Sequence, residues 1–223
     1  MLPVRTALRL PILLYGDVTF RSLKGKIEIR SHAYPGMIKF GVRDWYVTTA
    51  RPLVTITNNG TIIFNGPIRF LQGVYITVAR TGTLEFGSKG SFCGSDIKII
   101  CFDSIRFRDN VRIAWNVQVY DTSFHYIISD KDDQQISKLT KPIEIGQNVW
   151  IGNNTTISKG AVIPSDSIVA SNSLVNKNFE MAEPYPLIAG VPAKLVSKGY
   201  KRLYDKKQER YFDKMYGYDR THL

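Results

Sequence analysis

From Ile145 the chain repeats every six residues, reading IGQNVW, IGNNTT, ISKGAV, IPSDSI, VASNSL and VNKNF. The first residues of these hexads, Ile145, Ile151, Ile157, Ile163, Val169 and Val175, are all β-branched aliphatics. With about a quarter of residues aliphatic, six in six arises by chance on the order of once in several thousand trials. The fifth residues of the full hexads, Val149, Thr155, Ala161, Ser167 and Ser173, are all small or β-branched. Six residues make a short flat strand and a corner, and three such sides close a triangular coil of about 18 residues. The aliphatic residue then points into the prism, and the small fifth residue sits where a corner leaves little room. No coil buries its own apolar side alone, so stability comes from stacking on neighbouring coils.

The same six-residue spacing continues upstream in another phase, with FRDNVR from Phe107, IAWNVQ from Ile113 and VYDTSF from Val119. Earlier still, GTIIFNGPIRFLQGVYITVARTGTLEFG alternates β-branched and aromatic residues with Gly and polar ones, as strands do. The fold class expected is therefore all-β: a left-handed parallel β-helix, a rare exception to right-handed crossovers. Residues 1–51 read as an irregular N-terminal cap, 52–191 as the β-helix, and 192–223 as a helical tail. Residues 125–142 (HYIISDKDDQQISKLTKP) are polar, lack hexads and read as a loop extruded from one corner. In the tail, Tyr204, Tyr211 and Met215 share a helical face, which predicts a short helix packing its aromatic stripe on its own protein.

At 223 residues the chain is one domain, or one domain with a tail. Cys93 and Cys101 cannot build a disulfide framework and form no C-x-x-C pair; small buried core residues are the better reading. No long uncharged apolar run exists, so no stable membrane insertion is expected. Arg5 and Arg9 interrupt the apolar N-terminal stretch, which argues against a signal peptide and for a cytoplasmic protein. The formal charge of +11 suits polyanions or phosphorylated ligands. The basic residues are scattered, however, and no nucleic-acid partner is expected.

The series NVRIAWNVQVYDTSFH, a polar loop, KPIEIGQNVWIGNNTTISKGAVIPSDSIVASNSLVNK and finally IAGVPAK resembles the hexapeptide-repeat acyltransferase superfamily. Within it, the chain is similar to the galactoside, maltose and polysaccharide O-acetyltransferases, over about residues 101–197. The resemblance implies a homotrimer, with acetyl-CoA as co-substrate in the cleft between neighbouring prisms. It puts His125 at the catalytic histidine, whereas His32 and His222 match nothing. An imidazole titrating near neutrality can take the proton of an attacking sugar hydroxyl. Asp103 matches an acceptor-binding carboxylate, and Asp121, four residues before His125, either orients the imidazole or caps a corner. For acetyl-CoA the resemblance implies Lys177 and Lys194 at the phosphates, and Asn176 in place of the usual Thr beside Lys177. It also implies Asn153 and Ser171 along the pantetheine, Trp150 beside that channel, and Gly190 and Pro192 at the turn near the adenine. Arg108 replaces a usual Gly and Trp115 a usual Pro, which leaves the acceptor more open than the chemistry.

The expected function is acetyl transfer to a hydroxyl of a sugar or surface-polysaccharide precursor, without a covalent acyl-enzyme. The alternative is N-acylation of a nucleotide-linked amino sugar. A zinc carbonic anhydrase on this prism needs three histidine ligands, and only His125 lies in the repeats, so no metal is expected. A passive β-helical scaffold is disfavoured by His125, Lys177 and Lys194 standing together at matching places.

Overall fold

A computed structural model describes residues 10–44, 52–132, 134–180 and 184–218. His222, residues 1–9 and 45–51 of the expected cap and the end of the tail (219–223) lie outside the described residues. The chain winds through three sheets in turn, making a three-sided parallel prism. The first face stacks Ile12–Leu14, Ile38–Val42, Ile68–Leu71, Ser91–Cys93, Arg112–Ile113, Trp150–Ile151, Ile168–Val169 and Leu187–Gly190. The second stacks Val18–Leu23, Val54–Asn58, Tyr75–Val78, Lys98–Cys101, Gln118–Tyr120, Thr156–Ser158 and Leu174–Val175. The third stacks Lys26–Ile29, Thr61–Phe64, Thr83–Phe86, Ser104–Phe107, Ile143–Ile145 and Val162–Ile163. Within the three faces as described, Ala193–Ser197 is the one antiparallel strand, folding back on Leu187–Gly190 to close the first face.

The hexads fit this frame residue by residue. All six first positions and all five fifth positions are buried. The fourth positions obey a further rule: Asn148, Asn154, Gly160, Asp166 and Asn172 all have positive φ. Each makes the left-handed corner that Gly, Asn and Asp adopt at least cost. At the corner between the third and first faces their side chains also ladder. Asn110 Nδ2 donates to Asn148 Oδ1, and Asn148 Nδ2 to Asp166 Oδ1, both at 2.9 Å. Gly146, a second position, is required by close approach, since a Cβ there would lie 2.4 Å from the Ser165 nitrogen of the next coil.

Coil length changes along the axis. Ile145 stacks on Ile163 and Ile151 on Val169, so the last coils have the expected length. Upstream, Ile76 stacks on Ile99 and Leu84 on Ile105, so those coils are longer and their corners looser. Phenylalanines fill the wider interior: Phe86 stacks on Phe64 (5.5 Å) and Phe107 (5.2 Å) and meets Phe70 edge-on (5.4 Å). Cys93 and Cys101 are buried in this core, which pushes both thiols far above their ordinary range.

The segment expected as an irregular cap behaves otherwise where it is described. Ile12–Leu14, Val18–Leu23 and Lys26–Ile29 each pair in parallel with a strand of the next coil. They add a turn of the same prism, spaced too unevenly to show a period. At the other end, helix α1 (Lys206–Tyr216) starts at Asp205, whose carboxylate accepts the Lys207 and Gln208 N–H groups, and stops at Gly217. Its expected packing is not seen. The helix buries no residue, and Tyr211 and Met215 are 63% and 50% exposed. Tyr204, before the helix, does dock, donating its hydroxyl to the Asn148 carbonyl. No helix of the described residues is long and apolar enough to cross a membrane.

Candidate active site

The second face meets the third at the corner that extrudes the loop. The loop leaves through a neck in which Thr122 bridges Thr140, the Ser123 N–H donates to the Leu139 carbonyl, and the Lys141 N–H donates to the Asp121 carbonyl. Further out, Ile127–Ile128 and Gln135–Ser137 form a short antiparallel ribbon. His125 stands between neck and ribbon, exposed, and its imidazole has no hydrogen-bond partner among the described residues. Its backbone is held instead: the Ser123 hydroxyl donates to the His125 carbonyl at 2.9 Å.

The preceding residue, Phe124, has φ +61, which a bulky side chain adopts only at a cost of about 1–2 kcal/mol. One hydrogen bond and two ring contacts hold it there. Its N–H donates to Thr122 Oγ1 at 3.0 Å, and its ring lies about 6 Å from those of Phe102 and Tyr120. Lys159, one coil on, fastens the neck from outside. Its ammonium donates to Ser123 Oγ (3.1 Å), Ser137 Oγ (3.3 Å) and the Lys138 carbonyl (2.6 Å). The sequence reading missed Lys159, because nothing local marks a lysine whose partners are 21–36 residues away.

Asp121 does not face this surface. It is 0% exposed, and its two oxygens accept the Phe102 and Asp103 N–H groups at 2.7 and 2.8 Å. Burial raises its pKa above the ordinary carboxylate value, against the pull of those two donors. It therefore caps the corner, with its carboxylate turned neither to the His125 imidazole nor to an acceptor. Asp121→Ala would strand two buried N–H groups and is expected to cost about 2–4 kcal/mol. Chemical denaturation of the variant checks this, and a loss below half a kcal/mol would refute the capping role. Asp103 is the half-buried carboxylate at this corner, with Thr140 Oγ1 3.4 Å from Oδ2.

The residues expected around acetyl-CoA divide between two corners. At the corner between the first and second faces, Ser171 Oγ donates to Asn153 Oδ1 at 2.6 Å. Trp150, 41% exposed, leads into that corner, and Trp115 stands in it one coil earlier, accepting the Asn154 N–H. Gly190 reaches the same column, donating its N–H to Ser173 Oγ, and the turn through Pro192 carries exposed Lys194 back along the first face. Asn176 and Lys177 lie instead on the histidine's side, after Leu174–Val175 of the second face. Both are exposed, with the Lys177 ammonium 5.0 Å from the Phe179 ring centroid. Within one prism, then, His125, Asp103, Asn176 and Lys177 share one corner, and Trp150, Asn153, Ser171 and Lys194 gather at another. Arg108 lies at neither, since it pairs with Glu144 on the third face.

No family model matches the chain, and no curated protein does. Solved structures do resemble it. The polySia specific acetyltransferase NeuO is 19% identical with a TM-score of 0.52, covering 92% of this chain and 99% of its own. The polysialic acid O-acetyltransferase OatWY is 20% identical with a TM-score of 0.49, covering 89% and 99%. A maltose O-acetyltransferase from Clostridium difficile 630 is 21% identical with a TM-score of 0.40, covering 82% and 71%. At these identities the likeness to NeuO speaks to the fold, and with the three parallel faces it makes this chain a hexapeptide-repeat left-handed β-helix.

Proposed function

We propose that this protein transfers an acetyl group from acetyl-CoA to a hydroxyl of a sugar or surface-polysaccharide precursor in the cytoplasm. The observation that carries the reading is His125, which is solvent-facing, without a side-chain hydrogen bond among the described residues, and fixed through its backbone at a fastened loop neck. The imidazole takes the hydroxyl proton as the oxygen attacks the thioester carbonyl. The tetrahedral intermediate then collapses to the ester and the CoA thiolate, which recovers the proton from the imidazolium. No acyl-enzyme is needed, and the two cysteines are sealed in the core. Asp103 would accept hydrogen bonds from neighbouring hydroxyls of the acceptor. That NeuO, which this chain resembles in fold, is a polySia specific acetyltransferase supports a saccharide acceptor. Free-thiol release from acetyl-CoA with a panel of saccharides tests the reading, and release no faster than without acceptor across the panel would end it.

The division of the acetyl-CoA residues supports a homotrimer. In a trimer the His125 corner of one prism would face the Trp150 corner of the next, and each active site would join the two sets. Lys177 and Lys194 would then hold the CoA phosphates from different subunits. Such contacts are equally strong in ground and transition states, so Lys177→Ala and Lys194→Ala should raise KM for acetyl-CoA and spare kcat. About 1–2 kcal/mol each is expected, shrinking as salt screens them. Both variants and the wild type should use acetyl-pantetheine about equally poorly. Variants impaired with that truncated donor as well would show that the lysines do not bind the phosphates.

A further inference from the structure

Strand register places outward residues of the first face in columns along the prism axis. One column runs Lys39, Arg69, Phe92, Arg112, Trp150, each paired with the next across the sheet. Neighbouring strands are about 4.8 Å apart, so the five rungs span roughly 19 Å. The C-terminal segment walls its first part, where Arg202 and Lys206 join Lys39, Arg69 and Arg112 around a cleft of about 630 Å³. Among the described residues Glu209 is the one carboxylate lining it, and none of the five cations has an ion-pair partner.

The third face of the same prism pairs its charges. There Arg106 sits in register between Glu85 and Glu144 and pairs with them at 2.8 and 3.6 Å. The first face has the cations without the carboxylates. Arg112 is half-buried, donates to the Gly90 carbonyl, and has its pKa lowered by burial and by the nearby charges of Arg202 and Arg69. Like charges brought together at a surface cost stability unless something anionic joins them.

We propose that this column is a binding track for an acidic saccharide chain, which it delivers to Trp150. Guanidinium groups grip carboxylates bidentately, and Phe92 and Trp150 offer flat apolar faces to sugar rings between them. The rung spacing is close to the repeat of an extended sugar chain, which lets successive rungs meet successive residues. The class of chain rests on the saccharide-acceptor reading above; the unpaired cationic cleft does not.

The test is binding in the absence of acetyl-CoA, measured calorimetrically with oligogalacturonate, a maltooligosaccharide of equal length and single-stranded DNA. Oligogalacturonate should bind at least about tenfold more tightly than the neutral chain, and its affinity should fall as salt rises. Arg69→Glu, a fully surface change, should weaken it by a further factor of about ten or more while the thermal transition stays in place. Equal binding of acidic and neutral chains would overturn the proposal, as would indifference to Arg69→Glu. DNA binding more tightly than the saccharide and being lost in the same variant would also overturn it. Because no acyl donor is present, a protein that acetylates sugars but fails here loses only the track. One that binds here but never acetylates loses only the proposed activity.

Discussion

His125→Ala is expected to lower kcat by about 10²–10⁴, with acetyl-CoA affinity little changed. That factor corresponds to about 3–5 kcal/mol of transition-state stabilisation. A general base acts only while the hydroxyl proton is in flight, so its removal leaves ground-state binding of the donor intact. The fold should be unaffected, because the imidazole is exposed and makes no internal hydrogen bond among the described residues. Steady-state kinetics with matched melting curves check the split between kcat and stability. A variant keeping more than a tenth of wild-type activity would remove His125 from the mechanism. Lys159 offers a contrast, since it reaches the site only through the neck at Ser123 and Lys138. Its loss should slow kcat and raise hydrogen exchange across the loop together, whereas His125→Ala should leave exchange unchanged.

Phe86→Ala is expected to cost about 3–5 kcal/mol, the range for emptying a fully buried aromatic site. Phe86 is 1% exposed and lies at the centre of the phenylalanine cluster, stacked between Phe64 and Phe107 and edge-on to Phe70. The walls are strands of successive coils tied above and below, so they cannot collapse into the hole. Denaturant unfolding measures the loss, and a cost under 1 kcal/mol would mean that the upstream prism is not close-packed. The same truncation at Ile157, in a narrower coil, should fall within about 2–5 kcal/mol.

The hexads made the C-terminal coils legible because two positions per six residues are constrained, and the structure adds a third. The positive-φ corners at Asn148, Asn154, Asp166 and Asn172 were visible in the sequence as a recurring Asn or Asp. Upstream, the coil from Ile76 to Ile99 is longer than three hexads and closes with Gly-rich corners, so no fixed period survives. The N-terminal turn escaped for the same reason: Ile12 stacks on Ile38, but Val18 stacks on Val54. Of the site, His125 was legible because it ends a hexad run at a loop, whereas Asp121 was ambiguous. Asp121 follows a strand whose inward and outward sides alternate, and only the partner coil shows that its carboxylate turns inward to Phe102 and Asp103. The split between Lys177 and Asn153 was countable: both are third residues of hexads, but those hexads open different faces. The cationic column was not countable, because Lys39, Arg69 and Arg112 become neighbours only once unequal coil lengths set the register.

The most direct test of acetyl transfer to a sugar hydroxyl is mass spectrometry of saccharide acceptors after incubation with acetyl-CoA and the enzyme, before and after mild alkali. The expected result is an acceptor heavier by one acetyl group, with the gain erased by alkali because an O-ester hydrolyses, and absent with His125→Ala. A gain that survives alkali would be an amide and would contradict hydroxyl transfer in favour of N-acylation. No gain on any saccharide, from a protein that is folded and trimeric, would contradict acetyl transfer itself.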